Sequence, residues 1–251
     1  MNDYPNTKNV FKKGSTTYYM SSLFFPKVKR TEITLFYAWV RIADNYVDNI
    51  PQQKRKFTQF CAEFEKAWTE QSTDSFQIAF VALMRKYQIK KKWLDAFLHS
   101  MRMDLTTKVH TQQSLNTYIY GSAQVIGLIL SRILELDPKL DSYAQDLGYA
   151  MQLINMIRDS KEDTQLGRQY LIEPIQMYIP VYKEKDKRAR KVFSRIPYRY
   201  RVAIKTAADL YIWTAQKITQ NPDIVLKYKV KPPKIYILYR GILNAITEKI
   251  S

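Results

Sequence analysis

Two apolar stretches of this chain carry the same polar stripe, and any fold proposed for it has to accommodate both. In LFYAWVRIADNYVDNI, residues 35–50, Tyr37, Arg41, Asp44 and Asp48 stand at i, i+4, i+7 and i+11, the spacing of a single line down a helix. Leu35, Phe36, Ala38, Trp39, Val40, Ile42 and Val47 surround them, so the other faces belong to a core and the polar line is not simply the wet side. In YAMQLINMIRDSKEDTQLGRQYL, residues 149–171, Gln152, Asn155, Asp159 and Asp163 stand at i, i+3, i+7 and i+11 among Met151, Leu153, Ile154, Met156 and Ile157. A polar line on a mostly buried helix lines a cavity. Two such helices, each ending in a pair of aspartates four residues apart, are expected to share one.

The rest of the chain suits helices. Only six glycines occur in 251 residues, and the prolines cluster near positions 5, 26, 51, 138, 174–197 and 222–233, leaving long stretches free of breakers. The spacing of apolar residues predicts helices over 16–24, 30–49, 53–70, 74–87, 91–106, 112–134, 139–163, 197–219 and 234–249, so the fold class is all-α. Residues 1–251 read as one domain, with residues 1–13 as a loose N-terminal arm. The lone Cys61 excludes an internal disulfide and fits a reducing, cytoplasmic compartment. It is expected to pack between helices. His99 and His110 have no partner at metal-binding spacing, so packing or surface roles are expected for both.

The net charge is +17, which concerns partners rather than fold. Its densest source is KEKDKRARKVFSRIPYRYR, residues 183–201. Basic residues with interleaved aromatics suit an anionic membrane surface, phosphorylated small molecules or nucleic acid, or else a solvated loop and helix face. Nucleic acid is the least expected of these partners because it leaves both acidic stripes unexplained. No apolar run is long enough to span a bilayer: Val125–Leu130, the longest, is soon followed by Arg132 and Glu135. The N-terminus MNDYPNTKNVFKKGS lacks the apolar stretch of a signal peptide.

No basic residue lies between Asp44 and Asp48 to neutralise the pair. Four carboxylates converging on one cavity repel one another unless a cation joins them. Oxygen donors without a His or Cys cluster point to a hard ion, Mg²⁺ with Mn²⁺ as an alternative. Magnesium held by few carboxylates keeps positions for phosphate oxygens, and Arg41, Arg158 and Arg168 are expected to meet such oxygens bidentately. A structural alternative, in which each aspartate caps a helix or pairs with a neighbouring arginine, explains one stripe more readily than two. Metal and arginines beside an apolar cavity suit the departure of diphosphate from an allylic substrate, with the carbocation shielded from water and stabilised by aromatic faces.

With these residues in view, the chain resembles the squalene and phytoene synthase family, whose members join two prenyl diphosphates head to head. The resemblance rests on GSTTYYMSSLFFPKVKRTEITLFYAWVRIADNYVD (14–48), YIYGSAQVIGLIL (118–130) and QLINMIRDSKEDTQLGRQYL (152–171), in the family's order. It implies a single all-α isoprenoid synthase bundle with a central apolar cavity. It implies that Asp44, Asp48, Asp159 and Asp163 hold the metal, with Tyr37 and Arg41 also catalytic. Ser15, Tyr18, Tyr118, Gln152, Asn155, Arg158, Arg168 and Tyr170 are implied to contact substrate, and Ala123, Ile126 and Gly127 to line the prenyl tunnel.

The implied reaction, part of carotenoid or other isoprenoid biosynthesis, runs through a cyclopropyl diphosphate. Phytoene formation from two geranylgeranyl diphosphates is the expectation, because no glycine-rich dinucleotide fingerprint is visible. A squalene or dehydrosqualene synthase acting on farnesyl diphosphate is the rival, with NADPH as cofactor only in the squalene case. A non-catalytic relative serving as an assembly or lipid-binding factor is the alternative of another class, and it would be expected to have lost metal aspartates. Peripheral contact with an anionic membrane is expected, since greasy substrates arrive from one. Three positions depart from the family pattern: Asn45 for an aspartate, Gly14 for a histidine, and Gln124 for a small residue, where it is expected to shorten or re-aim the tunnel.

Overall fold

Where the sequence lacks breakers, the chain is helical. The structure, a computed structural model, describes residues 6–250. The helices are α1 (Thr7–Gly14), α2 (Thr16–Ser22), α3 (Lys27–Asp48), α4 (Lys54–Trp68), α5 (Ser75–Lys86), α6 (Lys91–Thr106), α7 (Gln112–Ile119), α8 (Val125–Ile133), α9 (Asp141–Gln165), α10 (Ile175–Arg190), α11 (Tyr198–Gln220), α12 (Ile224–Lys227) and α13 (Lys234–Ile250). A π-helical turn, Tyr120–Gln124, joins α7 to α8. Among the described residues the extended pairing is a single parallel bridge between Val109 and Gln169.

Local chemistry sets many of the ends. The Ser15, Asp74 and Thr111 side chains accept backbone N–H groups at the starts of α2, α5 and α7, and Thr111 forms a reciprocal capping pair with Ser114. Three helices, α3, α10 and α11, begin directly after Pro26, Pro174 and Pro197, whose fixed φ ends the preceding segment. Three helices went unanticipated: α1, α10 and the short α12. Residues 7–13, expected as a loose arm, form α1 instead: Asn6 caps it, and Phe11, 1% exposed, stacks on Tyr37 of α3 at 4.0 Å. Residues 1–5 of that arm lie outside the described residues. Helix α10 has Pro180 in its second turn and a basic end, features that read as a broken, solvated segment. Its Tyr178, Ile179 and Tyr182 are nevertheless buried, and that burial against α9 outweighs one missing hydrogen bond. In the stretch 183–201, expected as a solvated face or a ligand surface, Phe193 and Tyr200 are core residues and Arg190 is paired with Asp186 and Asp209.

One core lies around α3 to α6 and α8. Trp39 sits at its centre, stacked on Phe80 at 4.1 Å with Phe60, Phe64 and Phe97 about it, and its indole N–H donates to Gln77 at 2.8 Å. A second core joins α7, α9, α10 and α11. Cys61 is a buried packing residue on α4, and His110 packs against tyrosines. Between the cores lies an apolar cavity of about 290 Å³, walled by α2, α3, the π turn, α8, α9 and α11. Ala123, Ile126 and Gly127 line it, whereas Gln124 is not on its wall. The π turn directs Ser122 and Ala123 inward. Helices come close here because side chains are absent: a Cβ on Gly127 would lie 2.4 Å from the Ala144 carbonyl oxygen, and one on Gly148 2.5 Å from that of Ala123.

Candidate active site

Helix α3 packs Ile33, Phe36, Trp39, Ala43 and Val47 into the core and turns its stripe toward a polar pocket of about 370 Å³. Tyr37, Arg41, Asp44 and Asp48 border that pocket. Helix α9 brings Gln152, Asn155, Arg158, Asp159 and Asp163 to the same pocket, so the two stripes meet as their spacing predicts. Burial, with Asp48 close by, pushes the Asp44 carboxyl up to about 7 against the pull of Arg41. Burial, with Asp159 and Asp48 nearby, pushes Asp163 up to about 8. Asp159 moves the other way: against the cost of burial, Arg158 and then Lys229 hold it below the usual carboxylate range.

The aspartates are not free of cations, contrary to expectation. Arg41 Nη1 donates to Asp44 at 2.5 Å, Arg158 clasps Asp159 through two bonds of 2.7 Å, and Arg168 Nη1 donates to Asp48 at 2.7 Å. Lys229 adds a contact to Asp159 at 3.2 Å. Spacing alone suggested isolated acids; tertiary packing brings in Arg168 from beyond α9 and Lys229 from beyond α12. Among the described residues Asp163 has no ion-pair partner, and Arg41 Nε and Arg168 Nε are buried without an acceptor. The pocket therefore keeps both an unpaired acid and unpaired cationic donors.

Arg168 reaches Asp48 because α9 ends in a left-handed turn. Gly167, at φ 68°, follows the C-cap Leu166, and the Arg168 N–H returns to the Asp163 carbonyl at 2.8 Å. The chain then pairs with residues 108–110: Gln169 N–H donates to the Lys108 carbonyl at 2.7 Å, and His110 N–H to that of Gln169 at 3.1 Å. This places Tyr170 beside Tyr118, with ring centres 4.8 Å apart, and stacks His110 on Tyr170 at 5.1 Å. Both tyrosine hydroxyls donate to Asp104, Tyr118 at 3.0 Å and Tyr170 in a very short bond. Burial pushes the Asp104 carboxyl up to about 7, with Arg168 and Tyr170 opposing.

Asp104, Tyr211, Lys229 and Lys231 were missed in the sequence. Asp104 left a weak signal, one acid in the apolar end of α6, but no second acid at helical spacing marks it. Tyr211 is one of nineteen tyrosines and is distinguished only by its neighbours. Its hydroxyl lies 2.7 Å from that of Tyr18 and donates to Asn155 at 3.0 Å. Tyr18, Tyr37, Val40, Ser122, Gln152 and Asn155 border both the polar pocket and the apolar cavity, so they form the throat between them. Burial raises the Tyr18, Tyr37 and Tyr211 hydroxyls above their ordinary pKa, and they stand there as neutral donors. Ser15 borders the pocket while its hydroxyl caps α2, accepting from the Tyr18 N–H at 3.2 Å. Gly14 lets this corner close on α3, because a Cβ there would lie 2.8 Å from the Tyr37 hydroxyl.

Four carboxylates on two helices, two of them held toward the protonated form by burial first and by like-charged neighbours second, are a donor set suited to a hard divalent cation. Among the described residues no three His, Cys, Asp or Glu side chains are gathered closely enough to hold a metal by themselves. A cation there would complete its shell with oxygens from water or a ligand.

The squalene/phytoene synthase family model matches residues 11–173. The chain is 26% identical over 185 residues to the 15-cis-phytoene synthase of Synechococcus elongatus, a match covering 67% of this chain and 60% of that protein. It is 28% identical over 173 residues to the phytoene synthase of Thermus thermophilus, covering 67% and 59%. The chain thus spans about 60% of the length of these curated relatives. Among solved structures, a dehydrosqualene synthase superposes with a TM-score of 0.75 at 21% identity, over 98% of this chain and 95% of that one. The squalene synthase of Alicyclobacillus acidocaldarius gives 0.74 at 16%, over 85% and 92%. These likenesses give the fold as the all-α isoprenoid synthase bundle, and with the family match over most of its length the chain belongs to the squalene/phytoene synthase family.

Proposed function

We propose that this chain, acting as one domain, is a prenyltransferase that joins two prenyl diphosphates head to head, phytoene-synthase-like, converting two geranylgeranyl diphosphates to phytoene and diphosphate. One observation carries the reading: a pocket lined by four aspartates and six basic side chains opens through a shared throat into an apolar cavity. An amphiphile with an anionic head and a hydrocarbon tail matches that division, and a diphosphate head matches arginines and a divalent cation together. The names of the curated relatives favour geranylgeranyl diphosphate.

Asp44, Asp48, Asp159 and Asp163 would hold Mg²⁺, or Mn²⁺, which when bound neutralises charge on the departing diphosphate. Arg41, Arg158 and Arg168, with Lys229 and Lys231, orient phosphate oxygens, exchanging part of their pairing with aspartate for the ligand. Ser15 in the pocket and Gln152 and Asn155 in the throat offer neutral polar contacts. The Tyr18, Tyr37 and Tyr211 hydroxyls stay protonated in the throat, so they donate hydrogen bonds and present aromatic faces to developing positive charge. Ala123, Ile126 and Gly127 keep the wall apolar and exclude water, which protects the cation from capture. Tyr118, Tyr170 and Asp104 position Arg168.

A second reading takes farnesyl diphosphate to dehydrosqualene or, with NADPH, to squalene. The extent of the structural likeness to a dehydrosqualene synthase favours it. The test is incubation with Mg²⁺ and labelled farnesyl or geranylgeranyl diphosphate, with and without NADPH, followed by hydrocarbon analysis. A C40 product without NADPH supports phytoene formation, and a C30 product moves the enzyme to the second reading. Absence of hydrocarbon under every condition from a folded, metal-loaded protein overturns both in favour of a non-catalytic relative.

A further inference from the structure

Helix α13 turns an apolar face to solvent. Ile235, Leu238, Tyr239, Ile242 and Ile246 are 75%, 44%, 58%, 48% and 56% exposed, and they stand at i, i+3, i+4, i+7 and i+11. The opposite face is fixed to the protein: Ile237 and Asn244 are buried, and Gly241 lies so close to the Phe24 ring that a Cβ would collide with it. The helix is therefore held in place with its apolar stripe outward, and no described residue covers that stripe. A contiguous patch of this kind marks an interaction surface.

The charges beside it select the partner. Lys234 and Lys249 are exposed at the two ends of the helix. The only acid of α13, Glu248, is held by Arg201 at 2.7 Å, and Arg240 turns inward to Asp209 at 2.9 Å. Apolar side chains framed by lysines that have no ion-pair partner among the described residues, on a chain of net charge +17, make a second copy an unfavourable occupant and an anionic surface a favourable one. Lysine can keep its ammonium among headgroups while its stem lies along the acyl boundary, and tyrosine suits the same depth. We propose that α13 docks this protein on an anionic lipid bilayer, lying in the plane of the interface with Ile235, Leu238, Ile242 and Ile246 in the acyl boundary and Lys234 and Lys249 against headgroups. No helix among the described residues is long and apolar enough to cross a membrane, so this attachment is peripheral.

Helix α13 packs on α2 and α11, the helices whose Ser21, Ser22, Ala203 and Ala207 wall the apolar cavity. Docked in this way, the cavity stands one helix layer from lipid. That consequence rests on the proposed prenyl reaction, whereas the docking itself does not.

Co-sedimentation of the full chain with vesicles of phosphatidylcholine alone, or mixed with phosphatidylglycerol, tests the proposal. The native chain is expected to bind the mixed vesicles preferentially. The triple variant Ile235→Ser, Leu238→Ser, Ile242→Ser is expected to bind them about tenfold more weakly, and Lys234→Gln with Lys249→Gln to lose the preference for the anionic lipid. Because the changes are on an exposed face, circular dichroism should be unaltered. Independently of any loss of binding, Ile242→Trp should show a blue shift of its added fluorescence on mixed vesicles. Unaltered binding by the triple variant, or no shift from Ile242→Trp while the protein is bound, overturns the assignment. A dimer in solution that the triple variant converts to monomer overturns it in favour of a second copy. Docking without hydrocarbon formation would refute the proposed reaction and leave this surface intact.

Discussion

At the residue scale the site is a balance of charges, and each partner can be tested. Asp44 and Asp163 belong to different helices but border one pocket. Replacing either by asparagine keeps its shape and removes the charge, so turnover should fall by about two orders of magnitude or more while the circular dichroism spectrum stays that of the native protein. Near-native activity in either variant would sink the metal assignment. Asp104 predicts a pH effect. Its carboxyl is pushed up to about 7 in the fold, chiefly by burial, so between about 4 and 7 the native state binds a proton that the unfolded chain has released. Its contribution to stability is therefore present at low pH and lost as pH rises through about 7. Urea midpoints at pH 4.5 and 7.5 should converge in Asp104→Asn relative to the native chain, and an unchanged difference would refute this. The stripe residues were legible because period and neighbours mark them. Asp104 was not, because its meaning comes from Tyr118, Tyr170 and Arg168, which lie 14, 66 and 64 residues away in the chain.

At the scale of elements, periodicity identified every long helix but α10, and local chemistry many of their ends. Helix α6 runs over Lys91–Thr106, as predicted. The predicted helix over 112–134 is broken within by the π turn at Tyr120–Gln124, a feature with no signature in hydrophobic period. Its cause is close packing: a Cβ on Gly121 would lie 2.1 Å from both the Ala96 carbonyl oxygen and the Ser100 hydroxyl. Gly121→Ala should therefore push α6 and the π turn apart and destabilise the fold by roughly 1–3 kcal/mol, as overpacking does, read as a lower urea midpoint. A neutral outcome would mean that the helices part freely. Helix α10 was passed over because Pro180 and a basic end imitate a loop. The physical reason is that helix breakers are judged locally, whereas the compensation comes from Tyr178, Ile179 and Tyr182 packing against α9.

At the scale of the molecule, two halves of the chain contribute the two halves of one site, so ligand and fold stability are linked. Mg²⁺ with inorganic diphosphate should raise the melting temperature, since a ligand at a hundred times its dissociation constant stabilises by about 2.7 kcal/mol. Chelation should reverse the shift and abolish turnover. Stabilisation by diphosphate alone, with no further effect of the metal, would assign the pocket to its arginines. The sequence by itself determined the all-α class, the two acidic stripes and the side each turns from the core, because these depend on residue type at fixed helical spacing. Only the tertiary structure decided that Arg168 reaches Asp48, that Tyr211 and Lys229 join the site, and that α13 keeps an apolar face in water. Those depend on which helices lie side by side, and pairing between segments far apart in the chain leaves no trace in local period.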